Sequence, residues 1–68
     1  MKSDKLYLRH IDEAIESIEE YLRGVSYSRF ISSKMMIDAV VRELEIIGEA
    51  SKNLSDDFRE KHSDVFWR

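Results

Sequence analysis

Two long stretches of the chain repeat apolar residues at the spacing of an amphipathic helix. The first begins at Ser3, a candidate N-cap with Asp4 in the first turn, and ends at Gly24, where a left-handed residue is expected. Its apolar stripe covers about 140° of the helix circumference and consists of Tyr7, Leu8, Ile11, Ala14, Ile15, Ile18, Tyr21 and Leu22. The opposite arc is charged, so one buried face is predicted.

The second long stretch is predicted to run as a helix from a cap at Ser32 or Ser33 to about Asn53, and it is apolar on two sides. The main arc consists of Ile37, Val40, Val41, Leu44, Ile47 and Gly48. A smaller stripe, interrupted by Glu43, consists of Met35, Ala39, Ile46 and Ala50. A helix with two apolar sides is expected to contact two neighbours. One is the first helix; the other is a second copy, a different protein, or sequence missing from this chain.

Gly48 lies inside the main arc, although glycine costs about 1 kcal/mol relative to alanine in a helix interior. A position without Cβ lets another helix approach closely, and Ala39, Ala50 and Ser51 keep nearby positions small; a tolerated helix defect is the alternative. The residues predicted to serve packing or dimerisation are therefore Met35, Ala39, Leu44, Ile46, Ile47, Gly48 and Ala50.

Shorter elements complete the predicted fold. A helical turn is expected around Tyr27–Ile31, and Ser55 is placed to cap a short helix with Asp56 and Asp57 in its first turn. An apolar group, Val65, Phe66 and Trp67, follows. The prediction is all-α: an antiparallel hairpin of two long helices plus a short third helix. Residues 1–68 would form a single partial domain, an incomplete four-helix-type bundle that self-association completes.

Composition narrows the function classes. The 68 residues contain no cysteine, so neither disulfides nor thiolate metal sites are available, and a core this small needs other support. The net charge of −3 argues against generic binding to a phosphate backbone. No apolar run reaches membrane-spanning length, and the N-terminus has no signal-peptide pattern. A cytoplasmic protein without membrane contact or cofactor is expected.

Candidate chemistry is sparse. Glu45 and Glu49 lie at i, i+4, as in di-metal bundles, but the Glu-x-x-His ligands that such sites use are absent. With Arg42 they form at most a polar functional face, and a solvated charge ladder is the favoured interpretation.

His10 and Glu13 form a weak i, i+3 pair on the polar side of the first helix. The tyrosines could stack on bases, although the spacing of Tyr7 and Tyr21 favours the rim of the core. No catalytic or metal-binding residue is assigned.

The run "AVVRELEIIGEA", residues 39–50, closely resembles the HepT-like family of HEPN proteins, in which a helix with the pattern Leu-Glu-x-Ile-Gly-Glu-Ala precedes a short helix and a Pro-Asp-x-Pro-Trp turn. The upstream stretches "YLRHIDEAIESIEEYLRG" and "SYSRFISSKMMIDAVV" are similar to the family's first helix and its connection. Ser63 and Phe66 stand where the turn usually has proline. The resemblance extends over essentially all of the chain.

The resemblance implies a dimeric all-α ribonuclease, the toxin of a toxin–antitoxin module whose antitoxin is a small nucleotidyltransferase. That antitoxin is described as adenylylating a tyrosine near the active site. The site itself is an arginine followed, after four to six residues, by a histidine, and the two subunits bring these groups together to cut RNA without metal. Histidine suits proton transfer near neutral pH, and arginine suits the developing negative charge.

The chain departs from the family at that element. The family's arginine–histidine pair follows the Trp turn, whereas this chain ends at Arg68, and the internal pair Arg59 and His62 has only two intervening residues. We therefore expect a truncated chain that is inactive alone. The alternative is a non-catalytic helical module that pairs with itself or with an intact homologue.

Overall fold

The computed structural model describes residues 4–62, and every regular element within them is helical. In chain order these are α1 (Asp4–Leu22), α2 (Tyr27–Ile31), α3 (Lys34–Lys52) and α4 (Asp56–Lys61). The long helices α1 and α3 pack against each other as a hairpin, and α2 lies in their connection. The all-α prediction is confirmed, including the short helix at 27–31.

Serine hydroxyls and one glycine set the helix boundaries. Ser26, Ser33 and Ser55 each accept a hydrogen bond from the backbone N–H three residues further on, at the starts of α2, α3 and α4. Gly24 ends the first helical segment with φ +70°, which only glycine adopts without strain. The predicted caps at Ser33 and Ser55 and the stop at Gly24 are confirmed; Ser3 lies outside the described residues.

The core of the hairpin is built from small and medium side chains. Among the described residues the buried apolar positions are Ala14, Val40, Ala50 and Leu54, and no large side chain is completely enclosed. Ala14, toward one side of the α1 stripe, is among the most deeply buried of these residues. The prediction of one fully buried stripe on α1 is wrong in part, because Leu8, Ile15 and Tyr21 remain exposed on its edges. A single neighbouring helix covers a narrower arc than the stripe occupies.

The structure shows which side of α3 faces α1. Val40 and Ala50 are buried, and Ala39, Ile46 and Ile47 are half-buried. On the other side, Val41 is 44% exposed and Leu44 is 54% exposed. Helix α1 therefore covers Ala39, Ile46 and Ala50 of the smaller predicted stripe together with the adjoining edge of the main arc, whereas Met35 is 79% exposed. Of the remaining main-arc residues, Ile37 is half-buried, and Val41, Leu44 and Gly48 are exposed.

Helix α4 is attached by polar groups, which we call the polar clasp: Asp4, Ser55 and Arg59. The Asp4 carboxylate accepts hydrogen bonds from the Ser55 N–H (2.8 Å to Oδ1) and from the Ser55 hydroxyl (2.8 Å to Oδ2). The Arg59 guanidinium donates to the carbonyls of Ser51 (2.9 Å) and Lys52 (3.1 Å). Since the last carbonyls of a helix lack partners within it, Arg59 completes the end of α3.

Within residues 4–62, no helix is long and apolar enough to cross a bilayer. The apolar group at 65–67 and the turn positions Ser63 and Phe66, noted in the sequence, lie outside the described residues.

Candidate functional site

The predicted polar face on α3 is present as a surface feature. Arg42, Glu45 and Glu49 are all exposed. Among the described residues no group of three or more His, Asp or Glu side chains could hold a metal ion, so this face does not form a metal centre there. A functional role for the three residues stays a prediction.

A shallow cleft between α1 and α3 brings together residues that the sequence did not group. It has a volume of about 350 Å³ and is lined by His10, Glu13, Ala14, Ser17, Glu43 and Ile46. The weak pair His10 and Glu13 therefore lies at a concave surface, although both residues are exposed. The edge of the Tyr7 ring meets the His10 ring at a centroid distance of 6.1 Å and an interplanar angle of 88°.

Glu43, which interrupts the smaller apolar stripe of α3, has a specific partner across the hairpin. The Tyr21 hydroxyl donates a hydrogen bond of 3.0 Å to Glu43 Oε2. This hydrogen bond, together with some desolvation and the negative charge of Glu43, raises the pKa of Tyr21 above its ordinary value of 10.0. The pair joins α1 to α3 at one end of the cleft. The 3.6-residue periodicity alone could not find it, because the two residues are 22 positions apart.

The predicted packing residues divide into three groups by burial. Ala50 is buried; Ala39, Ile46 and Ile47 are half-buried; Met35, Leu44 and Gly48 are exposed. No heavy atom of the described chain beyond the neighbouring residues and the local helix backbone lies within 4 Å of the position that a Cβ on residue 48 would occupy. The close helix approach predicted at Gly48 therefore requires an element outside the described residues, and it stays a prediction.

Exposed apolar positions on α1 and α3 form what we call the open apolar face: Leu8, Ile15, Val41, Leu44 and Gly48. On α1 its two members are seven residues apart, and on α3 its members follow steps of three and four, so each set occupies one side of its helix. On both helices this side lies across the hairpin seam from the residues that line the cleft. The hairpin therefore has a polar concave side and an apolar open side.

The internal pair Arg59 and His62 does not form a reactive arrangement in the described structure. The Arg59 guanidinium is engaged by the carbonyls at the end of α3. His62 is the C-terminal cap of α4, and its ring lies 4.4 Å from the ring of Phe58. Both residues thus have structural roles, in agreement with the spacing argument that excluded them as a catalytic pair.

Comparison with known proteins identifies the family. The family model described as "Ribonuclease HepT-like" matches residues 11–68. The chain is 49% identical over 67 residues to a Thermococcus cleftensis protein named "Probable ribonuclease HepT", covering 98% of this chain and 61% of the relative. It is 47% identical over 68 residues to a Caldanaerobacter subterraneus protein named "Putative RNase", covering 100% of this chain and 61% of that relative.

A third relative shows the same segment in a different setting. A Methanocaldococcus jannaschii protein named "Gamma-glutamylcyclotransferase and putative RNase" is 51% identical over 67 residues, covering 98% of this chain but only 30% of the relative. The chain thus spans less than two thirds of the length of each of these three proteins. No solved structure matches the chain.

Proposed function

The chain belongs to the HepT-like ribonuclease family, and we propose that it provides the helical scaffold of such a ribonuclease without providing the cleavage chemistry. The observation that carries this proposal is that the family model matches residues 11–68. Within that match, the Arg59 guanidinium donates to carbonyls at the end of α3 and is not free for catalysis. A polypeptide of these 68 residues is then inactive on RNA, because no arginine in it is followed by a histidine after four to six residues.

A cleavage assay tests this proposal. The purified chain and the Thermococcus cleftensis relative are incubated with single-stranded RNA at neutral pH, with and without EDTA. We expect fragments only from the relative, unaffected by the chelator, because the family chemistry uses histidine and arginine rather than a metal. Cleavage by the 68-residue chain that persists in EDTA and co-purifies with the protein contradicts the proposal.

The family role of toxin in a toxin–antitoxin module, with a nucleotidyltransferase as antitoxin, is part of the proposal. The resemblance in residues 39–50 supports it, whereas the names of the relatives support the ribonuclease class alone. The corresponding test is growth: expression of the relative should arrest a host and co-expression of a nucleotidyltransferase antitoxin should relieve the arrest, whereas expression of this chain should leave growth unchanged. Arrest by this chain alone contradicts the inactive assignment.

The open apolar face favours a second candidate function, a helical module that associates with a second copy or with an intact homologue. Only four described residues form the buried apolar core, which is little for an independent domain. Light scattering after size exclusion measures the mass in solution. We expect a dimer; a monodisperse monomer with a sharp, cooperative thermal transition excludes obligate association. Co-purification with an intact homologue from the native host distinguishes pairing with a homologue from pairing with itself.

A further inference from the structure

The basic residues are distributed unevenly along this acidic protein. Residues 21–37 contain three of the 11 Lys and Arg residues and none of the 14 Asp and Glu residues. The remainder of the chain therefore has 8 basic against 14 acidic side chains. This segment includes α2 and both of its connections, so the positive charge is concentrated at the end of the hairpin where α1 and α3 are joined. We call it the basic tip: Arg23, Tyr27, Arg29, Ile31 and Lys34.

The charges of the tip differ in how far they are already compensated. Arg23 pairs with Glu20 at 3.0 Å and Lys34 pairs with Asp38 at 2.6 Å, both on the exposed surface, where such pairs are weak and easily exchanged. Arg29 is exposed and forms no ion pair with any described residue. A positively charged group is therefore available at the tip of a protein whose net charge is negative.

The three tyrosines differ in exposure, and the sequence already favoured the rim of the core for Tyr7 and Tyr21. Tyr7 is half-buried against the hairpin, and Tyr21 is committed to Glu43. Tyr27 is 78% exposed, and Ile31 one turn later is 51% exposed. A ring presented so openly offers a face on which a planar base can stack.

Helix α2 holds Tyr27 in a defined position. The Ser26 hydroxyl accepts from the Arg29 N–H at 3.2 Å, and the Ser32 hydroxyl donates to the Ser28 carbonyl at 2.8 Å, so both ends of this short helix are fixed. Phe30, between Arg29 and Ile31, is half-buried, and α2 packs against α3. The tyrosine is thus presented on a capped and anchored helix, and stacking would cost less ordering entropy than it would on a free loop.

From this arrangement we propose that the basic tip is a contact site for single-stranded RNA, with a base stacked on Tyr27 and phosphate groups near Arg29 and Arg23. The proposal rests on the proposed function, since a ribonuclease scaffold must meet its substrate. The combination of an exposed aromatic ring with unpaired positive charge is the pattern that single-strand binders use. An acidic protein partner would satisfy the charge but would have no planar base for Tyr27.

The test measures binding rather than cleavage, by fluorescence anisotropy of the 68-residue chain with a labelled oligouridine at low salt. Tyr27→Ala should weaken the affinity at least about fivefold, whereas Tyr27→Phe, which keeps the ring, should bind as the parent does. Arg29→Gln should weaken binding and reduce the salt dependence by the equivalent of about one phosphate contact. Circular dichroism should show unchanged folding for these exposed positions.

Arg9→Gln is the matched control. Arg9 is an exposed arginine on α1 about 20 Å along the helix axis from Leu22, so its removal changes the net charge equally but leaves the tip intact. Absence of RNA binding, equal losses for Arg9→Gln and Arg29→Gln, or no loss for Tyr27→Ala would each overturn the proposal. Displacement of the RNA by polyglutamate of equal affinity would also overturn the proposal, because it would indicate a site for acidic proteins.

Binding and cleavage fail independently. A chain that binds RNA through Tyr27 without cutting it supports the tip and agrees with an inactive scaffold. If the chain cuts RNA, the inactive assignment is contradicted. If Tyr27→Ala leaves the affinity for RNA unchanged, the proposed RNA contact at the tip is contradicted.

Discussion

The α1–α3 hairpin and α4 are held in place by different interactions. In the hairpin, apolar side chains such as Val40 and Ala50 are buried along the seam between α1 and α3. Helix α4 is held by the polar clasp, in which Asp4 accepts two hydrogen bonds and Arg59 donates two, with Leu54 buried just before it. Apolar burial stabilises the hairpin as a cooperative unit, whereas a few hydrogen bonds, most of them exposed, permit α4 to open alone. Within the described residues, α4 can therefore detach while the α1–α3 hairpin stays folded.

The largest expected effect comes from placing a charge in the hairpin seam. Val40→Asp removes a buried side chain and buries a carboxylate, so we expect the free energy of unfolding to fall by more than about 3 kcal/mol and the helical signal to collapse. The neighbouring substitution Val41→Asp, on the open apolar face, provides the control and should cost less than about 1 kcal/mol in a monomer. Urea denaturation followed by circular dichroism measures both; equal losses would mean that the face containing Val41 is covered in solution.

An intermediate effect is expected from loosening the clasp. Asp4→Asn removes the negative charge that accepts both hydrogen bonds from Ser55, and we expect a cost of about 1 kcal/mol, confined to α4. Amide hydrogen exchange should quicken in residues 56–61 and remain unchanged in α3. Asp12→Asn, another exposed α1 carboxylate, should change neither. If exchange quickens equally throughout α1, α3 and α4, then α4 does not open separately.

A smaller effect, of opposite sign, is expected at Gly48. Because a Cβ at this position would meet no heavy atom within 4 Å beyond the local backbone, Gly48→Ala should stabilise the isolated hairpin by about 0.5–1 kcal/mol through helix propensity. If a second helix does pack closely on the open apolar face, the added methyl group should weaken association while stabilising the monomer. Denaturation at several protein concentrations separates the two contributions; destabilisation that is independent of concentration would contradict the open environment.

The smallest effect concerns the Tyr21–Glu43 pair. Its hydrogen bond raises the pKa of Tyr21, so the pair contributes stability that is fully present below pH 10 and is lost as the pH rises through the raised pKa. Ultraviolet titration should show a tyrosine transition above pH 10, and Glu43→Gln should move that transition downward. A titration unchanged by Glu43→Gln would show that the hydrogen bond is not maintained in solution.

The sequence was sufficient to predict the helices and some of their boundaries. A serine before an apolar repeat or an acidic first turn, and a glycine at the end of α1, are local signals, and the structure confirms Ser33, Ser55 and Gly24 in those roles. The cleft and the polar clasp could not be predicted, because Tyr21 with Glu43 and Asp4 with Ser55 are pairs 22 and 51 positions apart. Helical periodicity also cannot show how narrow an arc one neighbour covers, and for that reason it assigns the exposed Leu8 and Ile15 to the core.

The hydrogen bonds between Asp4 and Ser55 also bear on the order in which the chain folds. On their own they would have to close a loop of 51 positions, an entropic cost that two exposed hydrogen bonds do not offset. Pairing of α1 with α3 can instead start beside the short connection through α2 and propagate toward the opposite end. Asp4 and Ser55 are then brought close together by the hairpin, so we expect α4 to dock after the hairpin forms and to detach before it unfolds.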